Sequence, residues 1–181
     1  MTRSAANGRI LLIDDLRSIH EDFARILARP SANGALDALG SELFGGPAAS
    51  TAPGFELDSA FQGQDGLIKL DASLEEHRPY AVAFVDMRMP PGWDGLETIE
   101  HLWASDPQLQ VVVCTAYSDY PWNQLIERLH ATGNLLILKK PFEPAEVMQI
   151  ARTLAAKWTA ERRLDDLIAT SATRSGAGAS P

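Results

Sequence analysis

A single cysteine, Cys114, stands in 181 residues, so no internal disulfide can form and the chain suits a reducing compartment. Cys114 closes an apolar run, which makes it a buried, inert thiol rather than a reactive one. Basic residues are also scarce, with 16 Lys and Arg against 24 Asp and Glu and a formal charge of −8. A nucleic-acid surface neutralises phosphates with clustered Lys and Arg, and Arg162-Arg163 is the only adjacent arginine pair here. No nucleic acid is expected as a partner. No apolar stretch approaches the roughly 20 residues needed to cross a bilayer, so no membrane is expected either. Met1 to Gly8 is small and polar, without the apolar segment of a secretory signal. These absences lead to the expectation of a cytoplasmic protein with one sizeable core.

What is present is a set of short apolar runs, each ending in a polar residue. Ile10 to Ile13 runs into Asp14-Asp15, Ala81 to Val85 into Asp86, Val111 to Cys114 into Thr115, and Leu135 to Leu138 into Lys139-Lys140. Short apolar runs bounded by turn signals read as strands of a parallel sheet buried on both faces. Phe55-Glu56-Leu57 reads as a weak second strand. Helical spacing predicts helices over 17–28, 64–76, 94–105, 122–130 and 144–168, with Asp94 as N-cap of the third and Pro144 in the first turn of the last. Five strands alternating with five helices make an α/β, doubly wound domain with right-handed crossovers. Residues 1–8 read as a flexible N-terminus, 9–157 as the domain, 158–168 as an extension of the last helix and 169–181 as a disordered tail. Residues 28–54, dense in Ala, Gly, Ser and Pro, read as an insertion between the first helix and the second strand.

In open parallel sheets the ligand site lies outside the carboxyl ends of the strands. Asp14, Asp15, Asp86, Thr115 and Lys140 should therefore share one crevice. Carboxylates crowded together repel unless a cation joins them, and oxygen-only ligands suit a hard cation such as Mg2+. Mg2+ and Lys140 would offset the three aspartates, and Thr115 adds a hydroxyl donor. These are parts for phosphoryl transfer to a carboxylate nucleophile.

Asp14-Asp15 after the first strand, Asp86-Met87-Arg88-Met89-Pro90, Asp94-Gly95, Thr115-Ala116 and Lys140-Pro141-Phe142 together resemble the receiver domains of two-component response regulators. The resemblance covers residues 9–157, apart from the insertion. It implies a flavodoxin-like sheet of strand order 2-1-3-4-5, with Asp86 as phosphoacceptor and Asp14, Asp15, Asp86 and the backbone carbonyl of Arg88 as Mg2+ ligands. It also implies that Thr115 is the switch hydroxyl, that Lys140 pairs with the phosphoryl group, and that the Lys140-Pro141 bond is cis. Adjacent strand residues face opposite ways, so one of Lys139 and Lys140 enters the site, and the family pattern favours Lys140. The partner it implies is a sensor histidine kinase or phosphotransfer protein. It implies no turnover of a separate substrate beyond the receiver's own phosphorylation and dephosphorylation.

Three features depart from the family pattern. The turn from Pro90 to Gly95 is one residue longer, Ile137 stands where an aromatic ring is usual, and the 28–54 insertion lies opposite the active edge by topology. Ile137 keeps open an alternative, a degenerate or phosphorylation-independent receiver acting as a binding module. A haloacid-dehalogenase-type enzyme is set aside because Arg88 stands where that family needs a second aspartate. His20, His77, His101 and His130 fall in predicted helices without metal-ligand spacing and read as surface residues. Trp93, Trp122, Tyr117 and Arg88 ring the predicted rim, with Arg88 and Tyr117 placed to screen a phosphoryl group from water. The last helix carries Leu154, Trp158, Leu164 and Ile168 roughly on one face and could pair with a second copy, although Glu161 and Arg162 interrupt the stripe. No output domain is recognisable after Trp158, which leaves the downstream partner unassigned.

Overall fold

The structure is a computed structural model and describes residues 8–27, 54–116, 127–129 and 133–176. Five parallel strands form one sheet: β1 (Arg9–Ile13), β2 (Glu56–Ala60), β3 (Val82–Asp86), β4 (Gln110–Thr115) and β5 (Leu135–Lys139). Their spatial order is β2-β1-β3-β4-β5. Among the described residues the helices are α1 (Arg17–Leu27), α2 (Gly63–Glu75), α3 (Gly95–Ser105) and α4 (Pro144–Gly176). The expected helix over 122–130 lies outside the described residues except at 127–129.

The apolar runs are continuous because both faces of the central strands are covered. Leu11 and Ile13, Ala83 and Val85, and Val111 and Val113 share one core with Leu70 of α2 and Leu96, Ile99 and Leu102 of α3. The alternate residues Ile10, Leu12, Val82, Phe84 and Val112 share the other core with Phe23 and Leu27 of α1 and Val147, Ala151 and Leu154 of α4. This is the period-two alternation of a strand, with neither side left to water.

The edge strand β2 sends Leu57 and Ala60 to the two cores, while its acidic residues Glu56 and Asp58 are tied into an ionic network. Arg9 Nη2 donates to Asp58 Oδ2 at 2.7 Å and sits over the Tyr80 ring, while Tyr80 donates its hydroxyl proton to Asp58 Oδ2 at 2.8 Å. Burial pushes the Tyr80 phenol up, and the hydrogen bond to Asp58 and the charge of Asp58 add to the rise. A phenol raised in the folded state contributes stability that is present below its unfolded value, about pH 10, and is lost as pH rises above it. Tyr80→Phe is expected to cost about 1 kcal/mol at pH 8. Urea unfolding should show that gap narrowing by pH 11; a constant gap would mean the phenol proton plays no part.

The end of α2 explains one unusual backbone. His77 N donates to Leu74 O and Arg78 N to Ser73 O, a reciprocal closure that puts His77 in the left-handed region at φ 55°. Glycine tolerates that conformation, so His77→Gly should raise stability by about 0.5–1 kcal/mol in urea titrations. His77 thus lies beyond the helix in which the sequence placed it.

Two boundaries differ from expectation. β2 continues to Ala60 because the polar residues Asp58 and Ser59 pair with Leu11 and Leu12 through backbone alone. Helix α4 continues to Gly176 rather than ending near Ile168. Residues 169–175 contain no proline or glycine to stop propagation, each added residue gains a hydrogen bond, and the helix closes at a glycine. The anticipated tail from 169 therefore begins as helix, and 177–181 lies outside the described residues. The 28–54 insertion also lies outside them, except Gly54. Its anchoring ends meet where Phe55 N donates to Leu27 O at 3.2 Å. That junction lies at the amino edge of the sheet, where α1 ends and β2 begins.

Candidate functional site

The carboxyl edge of the sheet collects the predicted residues because each is the last of its strand or the first beyond it. Asp14 follows β1, Asp86 ends β3, Thr115 ends β4 and Lys140 follows β5. Asp86 stands opposite Cys114 and Thr115 opposite Lys139 in the register. Lys140 Nζ lies 2.8 Å from Asp14 Oδ2 and 2.7 Å from Asp86 Oδ1. Lys140 rather than the exposed Lys139 enters the site, and its bond to Pro141 is cis.

Asp14 is 1% exposed. Its Oδ1 accepts from Leu16 N at 2.9 Å, its own N–H donates to Ala60 O, and its carbonyl accepts from the His20 ring at 2.7 Å. Asp15 and Asp86 are half-buried, and one carboxylate oxygen from each of Asp14, Asp15 and Asp86 lies within 4.8 Å of the others. Such a cluster could hold a metal ion: its donors are all oxygen, and one aspartate is almost wholly removed from water.

Asp86 Oδ2 accepts from Arg88 N at 3.0 Å, which folds the chain after β3 back over the carboxylate. Burial raises the Asp86 carboxyl above its ordinary value; Lys140, by hydrogen bond and charge, pulls it back, Asp14 pushes it up again and the Arg88 N–H lowers it. The net direction is up. For Lys140, burial lowers the ammonium, but the hydrogen bonds and charges of Asp14 and Asp86 outweigh it and the net direction is also up. The lysine is thus held as a cation between two carboxylates.

Asp94-Gly95 has a local explanation. Asp94 caps α3, accepting from Glu97 N at 2.8 Å. A Cβ on Gly95 would lie 2.4 Å from Asp86 O, so only glycine lets α3 begin directly against the backbone that carries Asp86. Thr115 donates its hydroxyl proton to Ala116 O at 3.0 Å and is not bonded to Asp86. Ile137 is half-buried and packs against the core shared with α2 and α3. Trp93 stacks on the exposed His101 with ring centroids 4.1 Å apart. Tyr117, Trp122 and His130 lie outside the described residues. Cys114 is buried, and burial pushes its thiol up, as an inert cysteine requires.

His20 corrects the sequence reading. It is buried rather than on the surface, with Nδ1 2.8 Å from Ser59 Oγ and the ring 4.4 Å from that of Phe61. Its signal was its spacing, because residues 20, 23 and 27 form the buried face of α1.

The response regulator receiver domain family matches residues 50–152, more than half of the chain, and the chain belongs to that family. The match begins after β1, so Asp14 and Asp15 fall outside it and join the site through the pairing of β1 with β2 and β3. Sporulation initiation phosphotransferase F of Bacillus subtilis is 33% identical over 87 residues, which cover 48% of this chain and 65% of that relative. The alignment thus spans just under two thirds of the relative's length. Among solved structures, one titled as an adenylate cyclase from Rhodopirellula baltica is 23% identical with a TM-score of 0.65, covering 90% of this chain and 97% of that one. A CheY-like response regulator receiver domain protein from Methanospirillum hungatei is 19% identical with a TM-score of 0.61, covering 87% and 99%. At these identities both show a common fold. No helix among the described residues is long and apolar enough to cross a membrane.

Proposed function

We propose that this receiver is a phosphorylation-controlled switch of a two-component phosphorelay, taking a phosphoryl group on Asp86 from a histidine kinase or phosphotransfer protein. The observation that carries the reading is Lys140 Nζ bridging Asp14 and Asp86 within a cluster of three carboxylates at the sheet's carboxyl edge. A carboxylate oxygen of Asp86 attacks the phosphorus of a phosphohistidine donor. The new P–O bond forms as the donor's P–N bond breaks, and the bonding pair leaves on the imidazole nitrogen. Lys140, already against Asp86 Oδ1, shifts its ammonium to an oxygen of the transferred group, and Thr115 exchanges its bond to Ala116 O for the same group. Asp14, Asp15, Asp86 and the Arg88 carbonyl would hold Mg2+. When bound, that ion offsets negative charge on the phosphoryl oxygens and keeps them from repelling the aspartates.

On this reading the receiver body spans 9–157, with 28–54 as a surface insertion and 158–168 as a helical extension. Phosphorylation and dephosphorylation are its own chemistry, without a separate substrate. A kinase partner and the lone buried thiol favour the cytoplasm. Ile137 supports one second reading, a binding module that works without phosphorylation, because a branched aliphatic side chain has no ring to turn inward when Thr115 moves. Intact-mass spectrometry after incubation with acetyl phosphate and MgCl2 separates the two. The switch predicts one phosphoryl adduct on the wild type, lost with EDTA and with Asp86→Ala. No adduct on the wild type would leave the binding module.

A further inference from the structure

We propose that His20 is a positioning residue for the metal site: it fixes the peptide joining Asp14 to Asp15 and so sets the placement of both carboxylates. The inference rests on the metal-site reading above. A carbonyl oxygen only accepts, so the His20 nitrogen 2.7 Å from Asp14 O must carry a proton; Nε2–H donates to that carbonyl. In the neutral ring, Nδ1 then accepts the Ser59 hydroxyl proton across 2.8 Å. One imidazole therefore links three elements: α1, the turn after β1, and the end of β2.

The consequence follows from peptide planarity. The Asp14 carbonyl and the Asp15 nitrogen and Cα lie in one rigid unit, so fixing the carbonyl direction fixes where Asp15 begins. The other side of Asp14 is held as well, by its N–H on Ala60 O and by Leu16 N on its carboxylate. With His20 in place, the Asp14 backbone is bonded at both its N–H and its carbonyl. Among the described residues no hydrogen bond or ion pair holds the Asp15 carboxylate, so the shared peptide is the element that positions it. Phe61, against the ring at 4.4 Å, packs beside the imidazole near the surface. His20 is 7% exposed, so water is a poor substitute for its bond to the carbonyl.

Residues that orient metal ligands typically change metal affinity by about 10–100-fold when removed. Titration of the full chain with MgCl2 by isothermal calorimetry should give a Kd about 10-fold weaker for His20→Ala than for the wild type. Ser59→Ala, which removes only the partner of Nδ1, should weaken binding by about threefold. His20→Gln, whose side-chain amide can still donate to the Asp14 carbonyl, should recover most of the loss. Tyr80→Phe serves as a control, because it lowers stability at the β2 edge without touching Asp14 and should leave the Mg2+ Kd unchanged. A general loss of stability would move the control as well, whereas a positioning role moves only the His20 and Ser59 variants. Wild-type binding with an unchanged Kd in a folded His20→Ala protein overturns the role of His20 alone. If His20→Ala does not fold, a wild-type Kd in Ser59→Ala, or a loss in Tyr80→Phe equal to that in Ser59→Ala, overturns it. No Mg2+ binding by the wild type overturns the metal-site reading and this inference with it.

Discussion

Lys140→Ala should destabilise the metal-free protein by about 3 kcal/mol at neutral pH, among the largest effects open to a single substitution here. Lys140 is the cation against both Asp14 and Asp86, and their side chains are 1% and 12% exposed. Removing it leaves two carboxylates facing each other with little water to separate them, and breaking one partner of a buried pair is costlier than never having built it. The loss should shrink in saturating MgCl2, because a cation that binds only the folded state restores stability by mass action. It should also shrink as pH falls toward the ordinary carboxylate range, where Asp86, whose carboxyl burial raises, takes up a proton. Phosphorylation from acetyl phosphate should slow by about 100-fold, the usual penalty for losing one donor aimed at developing charge. Urea titrations with EDTA and with MgCl2, beside a time course of adduct formation, measure both. A variant as stable as the wild type in EDTA would mean that the lysine is not what neutralises the cluster.

The second large effect has the opposite sign. Asp86→Asn should stabilise the metal-free protein by about 1 kcal/mol at pH 7 while abolishing the phosphoryl adduct. Burial raises the Asp86 carboxyl above its ordinary value, so the folded state binds that proton more tightly than the unfolded chain does. A raised value contributes stability below the unfolded pKa, near 3.8, and loses it as pH rises through the folded one. At pH 7 the ionised carboxylate is therefore a burden that the amide lacks, while Lys140 keeps its bond to Asp14. The gap between variant and wild type should close on acidification. Equal stability at pH 7, or a gap that widens toward pH 4, would contradict this account of the site's electrostatics. Such trade-offs are expected where a site is arranged for chemistry rather than for stability.

Much of this arrangement was legible in the sequence, for reasons that particular residues make plain. The runs of β1, β3 and β4 were readable because those strands are buried on both faces, so Ile10 to Ile13 and Val111 to Val113 show no polar interruption. Once the runs were strands of a parallel sheet, their polar last residues had to meet at one edge, and Asp14, Asp86 and Lys140 do meet. The Asp94 cap was readable from its position alone.

What escaped was polar residues inside the protein. His20 lies on the buried face of α1 with Phe23 and Leu27, but a hydropathy pattern counts an imidazole as solvent-facing. Its burial depends on two acceptor and donor groups, Asp14 O and Ser59 Oγ, brought close only by the pairing of β1 with β2. Gln110 is hidden for the same reason: fully buried, it exchanges hydrogen bonds with Lys157 and Glu161 of α4. The full length of β2 was obscured because Asp58 and Ser59 satisfy side-chain partners that lie far away in sequence. The far end of α4 escaped because residues 163–171 are all exposed, so no core-facing stripe marks that part of the helix.

The central claim is that Asp86 itself carries the phosphoryl group. Borohydride reduction of the acetyl-phosphate-treated protein converts an aspartyl phosphate to homoserine, and peptide mass spectrometry then locates it. The account predicts homoserine at position 86 in a MgCl2-dependent fraction of the protein, and at neither position 14 nor position 15. Conversion at Asp14 or Asp15, or a phosphoryl adduct with position 86 unreduced, would contradict it.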